Sequence, residues 1–252
     1  MMTYTINSLT CTKLGNTEDE NEDAYIITQP DNSHGYIRMA IADGATESSF
    51  SKEWAELLVC YFYGFEYKNN SFLDNIHPFL KRHWLQRVSA DDLPWYAQQK
   101  LELGAFATFL GVDVNLETGE CNIIAVGDSN FFAFRGNELK TSFPVERAAD
   151  FGNTPFLISS EPHKNKAERL FSEQVLQLIP GDTLILATDA ISYWMLSEVE
   201  KGNKPLNYLQ QLLSNEKSKG SFSGWLQEQR ENSTIKNDDT TILLIQFSDG
   251  TT

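Results

Sequence analysis

Apolar residues recur in short stretches along most of the chain. "YTINSLT" (4–10), "AYIIT" (24–28), "YIRMAIA" (36–42), "ATFLGVDVN" (107–115) and "CNIIAV" (121–126) have the length and alternation of strands. So do "FFAFRG" (131–136), "EQVLQLI" (173–179), "DTLILAT" (182–188) and "TTILLIQF" (240–247). Turn residues punctuate them at Asp31-Asn32, Thr118-Gly119, Gly136-Asn137 and Pro180-Gly181. Helical periodicity governs fewer stretches. From Phe50, apolar residues at Trp54, Leu57, Leu58, Tyr61 and Phe65 share one helical face, and Thr46, Ser48 and Ser49 offer N-cap oxygens ahead of it. "LDNIHPFLKRHWLQRV" (73–88) and "WYAQQKLELGAF" (95–106) predict two more helices, and "ISYWMLSEV", "PLNYLQQLL" and "FSGWLQEQR" predict short later ones. Hairpin-linked strands with interspersed helices predict an α+β fold whose sheets are mostly antiparallel. No linker, repeat or low-complexity run divides residues 1–252, so one domain is expected.

The polar positions flanking these strands repeat a theme. Asp43 follows "YIRMAIA", Asp128 follows "CNIIAVG" and Asp189 follows "DTLILAT". Glu22 and Asp23 precede "AYIIT", while Asp238 and Asp239 precede "TTILLIQF". In an antiparallel pair one strand ends beside its neighbour's start, so these acids can gather at one rim. Any single Asp-Gly after a strand is ordinarily a turn; the repetition at strand tips is what points to a site. Two like charges ~4 Å apart repel by ~4 kcal/mol at an effective dielectric near 20, so protons or cations must relieve the cluster. Oxygen donors without neighbouring Cys or His favour Mg²⁺ or Mn²⁺ over Zn²⁺. Gly44, lacking a Cβ, suits a close backbone approach to an ion.

Charge and composition narrow the partners. The chain carries 20 Lys+Arg against 35 Asp+Glu, a formal net charge of −15, with no basic stripe. Nucleic acid and anionic lipid are disfavoured as partners, and no apolar run reaches the ~20 residues of a membrane helix. Cys11, Cys60 and Cys121 are scattered and mostly within apolar runs, as expected of buried free thiols in a reducing, cytoplasmic setting. His77 and His83, six apart on one helix, do not share a face and are expected at the surface or its boundary. The five tryptophans are expected in the core or between layers. "DENEDA" lacks the Gly and Glu that a calcium loop requires at its sixth and twelfth positions.

"NEDAYIIT", "AIADGATES", "GAFATFLGV", "AVGDSNFFAFRGNEL", "GDTLILATDAI" and "NDDTTILLI" stand in the order and approximate spacing of the PPM-type (type 2C) metal-dependent protein serine/threonine phosphatases. The sequence resembles a divergent, bacterial-type member, with blocks spread from about residue 15 to 247. The resemblance implies a four-layer α-β-β-α sandwich around two antiparallel sheets. It also implies that Asp43 bridges two Mn²⁺ or Mg²⁺ ions, that the Gly44 carbonyl, Asp189 and Asp238 complete their ligands, and that Asp128 helps hold a third. Glu22 and Asp23 would support the site through water or hydrogen bonds, with Asp239 in the Asn position of the family's last block. A water activated between two ions would then attack phosphorus in line, with no enzyme nucleophile. The implied substrate is phosphoserine or phosphothreonine in a phosphoprotein.

The sequence departs from that family at its phosphate-recognition positions. Glu18 stands where an Arg commonly binds the substrate phosphate, and Lys13 is the nearest upstream cation. Ala45 replaces the usual His or Met, "GDSN" replaces G-D-S-R at Asn130, and Ala190 follows Asp189. These departures motivate two alternatives: a non-catalytic regulatory or binding module on the same fold, and a hydrolase of small phosphoesters. "TSFPVERAADFGNTPFLISS" (141–160) reads as a long irregular stretch, either a flap beside the site or a connecting loop.

Overall fold

The computed structural model describes residues 1–28, 35–62, 76–88, 95–152, 154–165, 171–213 and 218–250. The turn expected at Asp31-Asn32, the helical position Phe65 and residues 73–75 of the second predicted helix lie outside them. The first half of the chain forms β1 (Met2–Cys11), β2 (Asp23–Ile27), β3 (Tyr36–Asp43), α1 (Ser51–Phe62), α2 (His77–Val88), α3 (Trp95–Leu103), β4 (Phe106–Ala107), β5 (Phe109–Asn115) and β6 (Glu120–Val126). The second half forms β7 (Asn130–Arg135), β8 (Glu138–Phe143), β9 (Ile158–Ser159), β10 (Ser172–Gln177), β11 (Asp182–Ala187), α4 (Asp189–Glu200), α5 (Pro205–Leu213), α6 (Ser218–Glu231) and β12 (Thr240–Asp249).

Ten of the strands build two five-stranded sheets, ordered β1-β12-β11-β7-β8 and β10-β6-β5-β3-β2, with β4 and β9 pairing separately. All the strand pairs within them are antiparallel. Period-two alternation sorts each strand's side chains into layers. Ile37, Met39 and Ile41 of β3 meet Leu184 and Leu186 of β11 and Leu243 and Ile245 of β12 between the sheets. The opposite faces of the same strands carry helices. Ala40 and Ala42 pack under Trp54, Leu58, Leu80 and Trp84 from α1 and α2. Ile185, Ile242 and Leu244 pack under Trp194, Leu209, Phe222 and Leu226 from α4, α5 and α6. The expected four-layer α-β-β-α sandwich is the observed architecture. Among the described residues no helix is long and apolar enough to cross a membrane.

Several local expectations are corrected. His77 is fully buried, not a surface residue: its Nε2 lies 2.7 Å from the Ser159 carbonyl and its ring meets Trp54 edge-on. It shares a helical face with Leu80, Trp84 and Val88, all buried, and burial lowers its pKa. Cys121 is buried as expected, but Cys11 is half-buried and Cys60 is exposed, because Cys60 lies off the α1 face formed by Trp54, Leu57 and Leu58. Two of the three hydroxyls expected to cap α1 have other partners. Thr46 accepts from the Lys13 ammonium at 3.0 Å, and Ser48 bonds the Ala45 carbonyl and the Phe106 N–H. Gly104, at φ +75°, stops α3 at Leu103, short of the predicted Phe106. The stretch 141–160 is not wholly irregular. It begins in β8 and ends in β9, and fully buried Asn130 ties it down by donating to Ser142 Oγ and the Val145 carbonyl while accepting the Val145 N–H.

Candidate metal centre

Strand register gathers the acids. Asp23 opens β2 directly opposite Asp43, which closes β3. Asp128 follows β6, Asp189 follows β11 as the first residue of α4, and Asp238-Asp239 precede β12. Thr188, fully buried between β11 and α4, joins the two sheets at this rim. Its hydroxyl donates to Asp23 Oδ2 at 3.2 Å and accepts the Thr241 N–H at 3.0 Å.

Behind the rim, Asp239 is only 3% exposed, and its two oxygens accept the backbone N–H groups of Lys13 and Glu22, each at 2.8 Å. Glu22 accepts from Ser51 Oγ at 2.5 Å and from the Lys13 ammonium at 3.1 Å. Gly44 donates its N–H to the Glu22 carbonyl at 3.2 Å, and a Cβ on it would stand 2.9 Å from that oxygen and 3.0 Å from Ser51. Close packing of three segments therefore requires glycine here. Asp43 is held at its backbone, its N–H donating to Thr108 Oγ1 at 3.1 Å and its carbonyl accepting the Thr108 N–H at 2.8 Å.

The side chains in front repel one another. Burial, then the charges of Asp23, Asp189, Asp238 and Asp128, raise the Asp43 carboxyl well above the ordinary carboxylate range. Burial also raises Asp23 well above that range, and hydrogen bonds from Thr241 and Thr188 only partly offset it. Asp128 is pushed up to about 7 by burial and by Asp189. Burial raises Asp189 against the opposing charge of Lys236. These are groups that want a proton or a cation.

Two cationic side chains that sequence reasoning missed stand at the C-terminal end of this cluster. The Lys236 ammonium lies 2.6 Å from Asp238 Oδ2 and 3.4 Å from Asp189 Oδ2. Burial works to lower its pKa, but hydrogen bonds and charge from Asp238 and Asp189 outweigh burial and raise it. Arg230, 8% exposed, donates to the Thr12 carbonyl at 2.8 Å, to the Asp238 carbonyl and to Thr240 Oγ1 at 3.2 Å. Lys236 was visible in "IKNDD", two residues from a candidate ligand; nothing in the sequence marked Arg230.

The donor set fits a hard divalent cation. All its side-chain donors are carboxylate oxygens, and Asp23 Oδ1 and Asp189 Oδ1 are buried without a hydrogen-bond partner. Among the described residues, no three His, Cys, Asp or Glu side chains have already closed to metal-holding distances; Lys236 stands between Asp189 and Asp238. Glu18 sits in an exposed turn at Glu18–Glu20.

An α-β-β-α sandwich with acids collected at one rim of its paired sheets defines a class of fold and site, and the comparisons give that class a family. Residues 16–229 match the family profile of protein phosphatase 2C, and the chain belongs to that family. No curated protein sequence matches it. Among solved structures, the chain is similar to the PP2C phosphatase domain with a regulatory-domain fragment of the cell fate determinant SpoIIE from Bacillus subtilis. That match has 16% identity and a TM-score of 0.58, and it covers 99% of this chain and 65% of that one. The catalytic domain of the serine/threonine phosphatase PstP, in complex with two manganese ions, matches at 15% identity and a TM-score of 0.58 over 99% and 100% of the two chains. RsbX in complex with magnesium matches at 18% identity and a TM-score of 0.51 over 98% and 100%. At these identities the likeness shows the fold. The profile match ends before Asp238, so the placement of the last acids in the site rests on the geometry above.

Proposed function

We propose that this chain is a metal-dependent phosphatase that hydrolyses phosphoserine and phosphothreonine monoesters in phosphoproteins. The observation that carries the reading is the convergence of Asp43, Asp189 and Asp238, with Asp23 and Asp128 beside them, from both sheets onto one rim. Asp43, Asp189, Asp238 and the Gly44 carbonyl would hold two Mn²⁺ or Mg²⁺ ions, and Asp128 would help hold a third. Bound ions lower the pKa of a water and offset charge on the phosphate oxygens. Glu22, Asp23 and Asp239 support the site. Asp239 fixes the backbone at Lys13 and Glu22, Glu22 binds Ser51 and Lys13, and Asp23 links to the second sheet through Thr188.

Phosphate binding draws on what cations remain. Glu18 offers none, and the Lys13 ammonium is already engaged by Glu22 and Thr46. Weak ground-state binding with intact metal chemistry is the consequence. The chain works as a single domain, a reading supported by pairing of the first strand with the last, Met2 opposite Asp249. Exposed free Cys60 and buried free Cys121 support a reducing, cytoplasmic setting. The acidic charge disfavours nucleic acid and anionic membranes as partners.

Turnover of p-nitrophenyl phosphate with Mn²⁺ and with EDTA tests the reading. Manganese-dependent turnover supports an enzyme, and Mn²⁺ binding without turnover supports the regulatory module instead. Phosphopeptides should be preferred over small phosphoesters of similar reactivity; the reverse preference would favour the small-molecule alternative.

A further inference from the structure

Lys236 reaches into the carboxylate cluster from solvent. Its side chain is 64% exposed, while Asp189 and Asp238 are 20% and 21% exposed. The ammonium touches one oxygen of each, at 3.4 Å and 2.6 Å, and leaves buried Asp189 Oδ1 without a partner. Asp189 is thus half satisfied, with one oxygen on a removable cation and one still open. Next to Lys236, Ile235 is 2% exposed and packs into the helix-side core. This anchor keeps the ammonium close to the pair whatever its rotamer, so its local concentration is high. Arg230 differs: its guanidinium is buried and bound to backbone carbonyls of Thr12 and Asp238, so it cannot leave without repacking.

We propose that Lys236 is a tethered counter-ion that competes with a divalent cation for the Asp189–Asp238 pair, so that metal entry expels its ammonium from between the two carboxylates. This rests on the reading of those aspartates as metal ligands. A singly charged ammonium and a doubly charged ion cannot share the same two oxygens at contact distance without strong repulsion. The metal wins by charge and by recruiting Asp189 Oδ1, which the ammonium does not reach. In the metal-free chain Lys236 relieves part of the repulsion, and the cost of displacing it appears as weakened metal affinity. One of the metal positions is then selectively weak, and the cell's free divalent concentration sets how much of the chain is fully loaded.

Calorimetric titration of MnCl₂ into the full chain tests this on wild type, Lys236→Met and Lys236→Arg. Lys236→Met should bind one class of Mn²⁺ about tenfold more tightly, and Lys236→Arg, which keeps the charge, should stay near wild type. A second readout needs no substitution. Acylation of lysines by an N-hydroxysuccinimide ester, read by peptide mass spectrometry, should rise several-fold at Lys236 when Mn²⁺ is added. Lys140, paired with Glu138 on β8, should not change. If wild type binds Mn²⁺ while Lys236→Met binds it equally or more weakly, or if Lys236 labelling is unmoved by metal, the competition is overturned and the metal reading stands. If Mn²⁺ binds to none of the three proteins, the metal reading itself falls and takes this inference with it.

Discussion

Asp43 faces the charges of Asp23, Asp189, Asp238 and Asp128 from a half-buried position, and that makes it costly without a cation. Asp43→Asn removes one repelling charge while keeping the shape and the backbone bonds to Thr108. The expected outcome is loss of Mn²⁺-dependent turnover with a metal-free melting temperature equal to or above wild type, measured by phosphate release and thermal melting in EDTA. A large fall in metal-free stability would instead mark Asp43 as a structural cap. Glu18 is the opposite case, an exposed residue whose charge is wrong for phosphate. Glu18→Arg should lower KM by about tenfold at near-constant kcat, because a guanidinium adds binding common to ground and transition states. An unchanged KM would direct attention to Lys13. At this scale the acids were legible because they recur at strand tips, where the pattern of the chain itself changes. Lys236 and Arg230 were not, since a single cation in a loop or at a helix end carries no period. Asn130 looked like a lost phosphate ligand and is in fact a buried staple for the segment at Ser142 and Val145.

The elements of the rim are held by a few polar links across them. Thr188 joins β11 to β12 through Thr241 and joins both to β2 through Asp23. Thr188→Val keeps the volume and strands two buried polar partners, so a loss of about 1–3 kcal/mol is expected in denaturant unfolding. Metal affinity should fall with it, because Asp23 loses its anchor; unchanged stability would mean that the link between the sheets is not a support of the site. The central strands β3, β5, β11 and β12 were readable because they bury a face against the opposite sheet and a face against helices, which keeps apolarity nearly continuous. Helix ends read less well. Ser48 bonds Phe106 instead of capping α1, a partner 58 residues away that no local pattern announces. His77 was misplaced although its spacing to Leu80, Trp84 and Val88 marks the buried face. The polar side chain hid the period, and the Ser159 carbonyl that partners its Nε2 comes from β9.

Across the whole molecule, the cluster makes stability depend on pH and metal together. Asp128 has a folded pKa of about 7 against an ordinary value of 3.8, so near neutral pH the folded chain binds a proton that the unfolded chain does not. Stability from this group is lost as pH rises through about 7, so in EDTA the melting temperature should climb as pH falls from about 8 to about 6.5, by roughly 1 kcal/mol or a few °C. Below about 6.5 buried His77, whose pKa is lowered, works against the carboxylates, because the unfolded chain then takes up the proton His77 refuses. A flat or falling profile from pH 8 to 6.5 would mean the carboxylates are already neutralised by other means. Saturating Mn²⁺ should raise the melting temperature at pH 7.5, with about 2.7 kcal/mol expected at a hundredfold excess over Kd, and should flatten the pH trend because protons and metal compete for the same oxygens. The central claim is that this rim holds divalent cations and uses them to cleave phosphate monoesters in proteins. Release of inorganic phosphate from a phosphothreonine peptide, by wild type and Asp43→Asn in Mn²⁺ and in EDTA, tests it most directly. Turnover is expected in wild type with Mn²⁺ alone; equal turnover in EDTA, or in Asp43→Asn with Mn²⁺, would rule out cation-dependent cleavage at this rim.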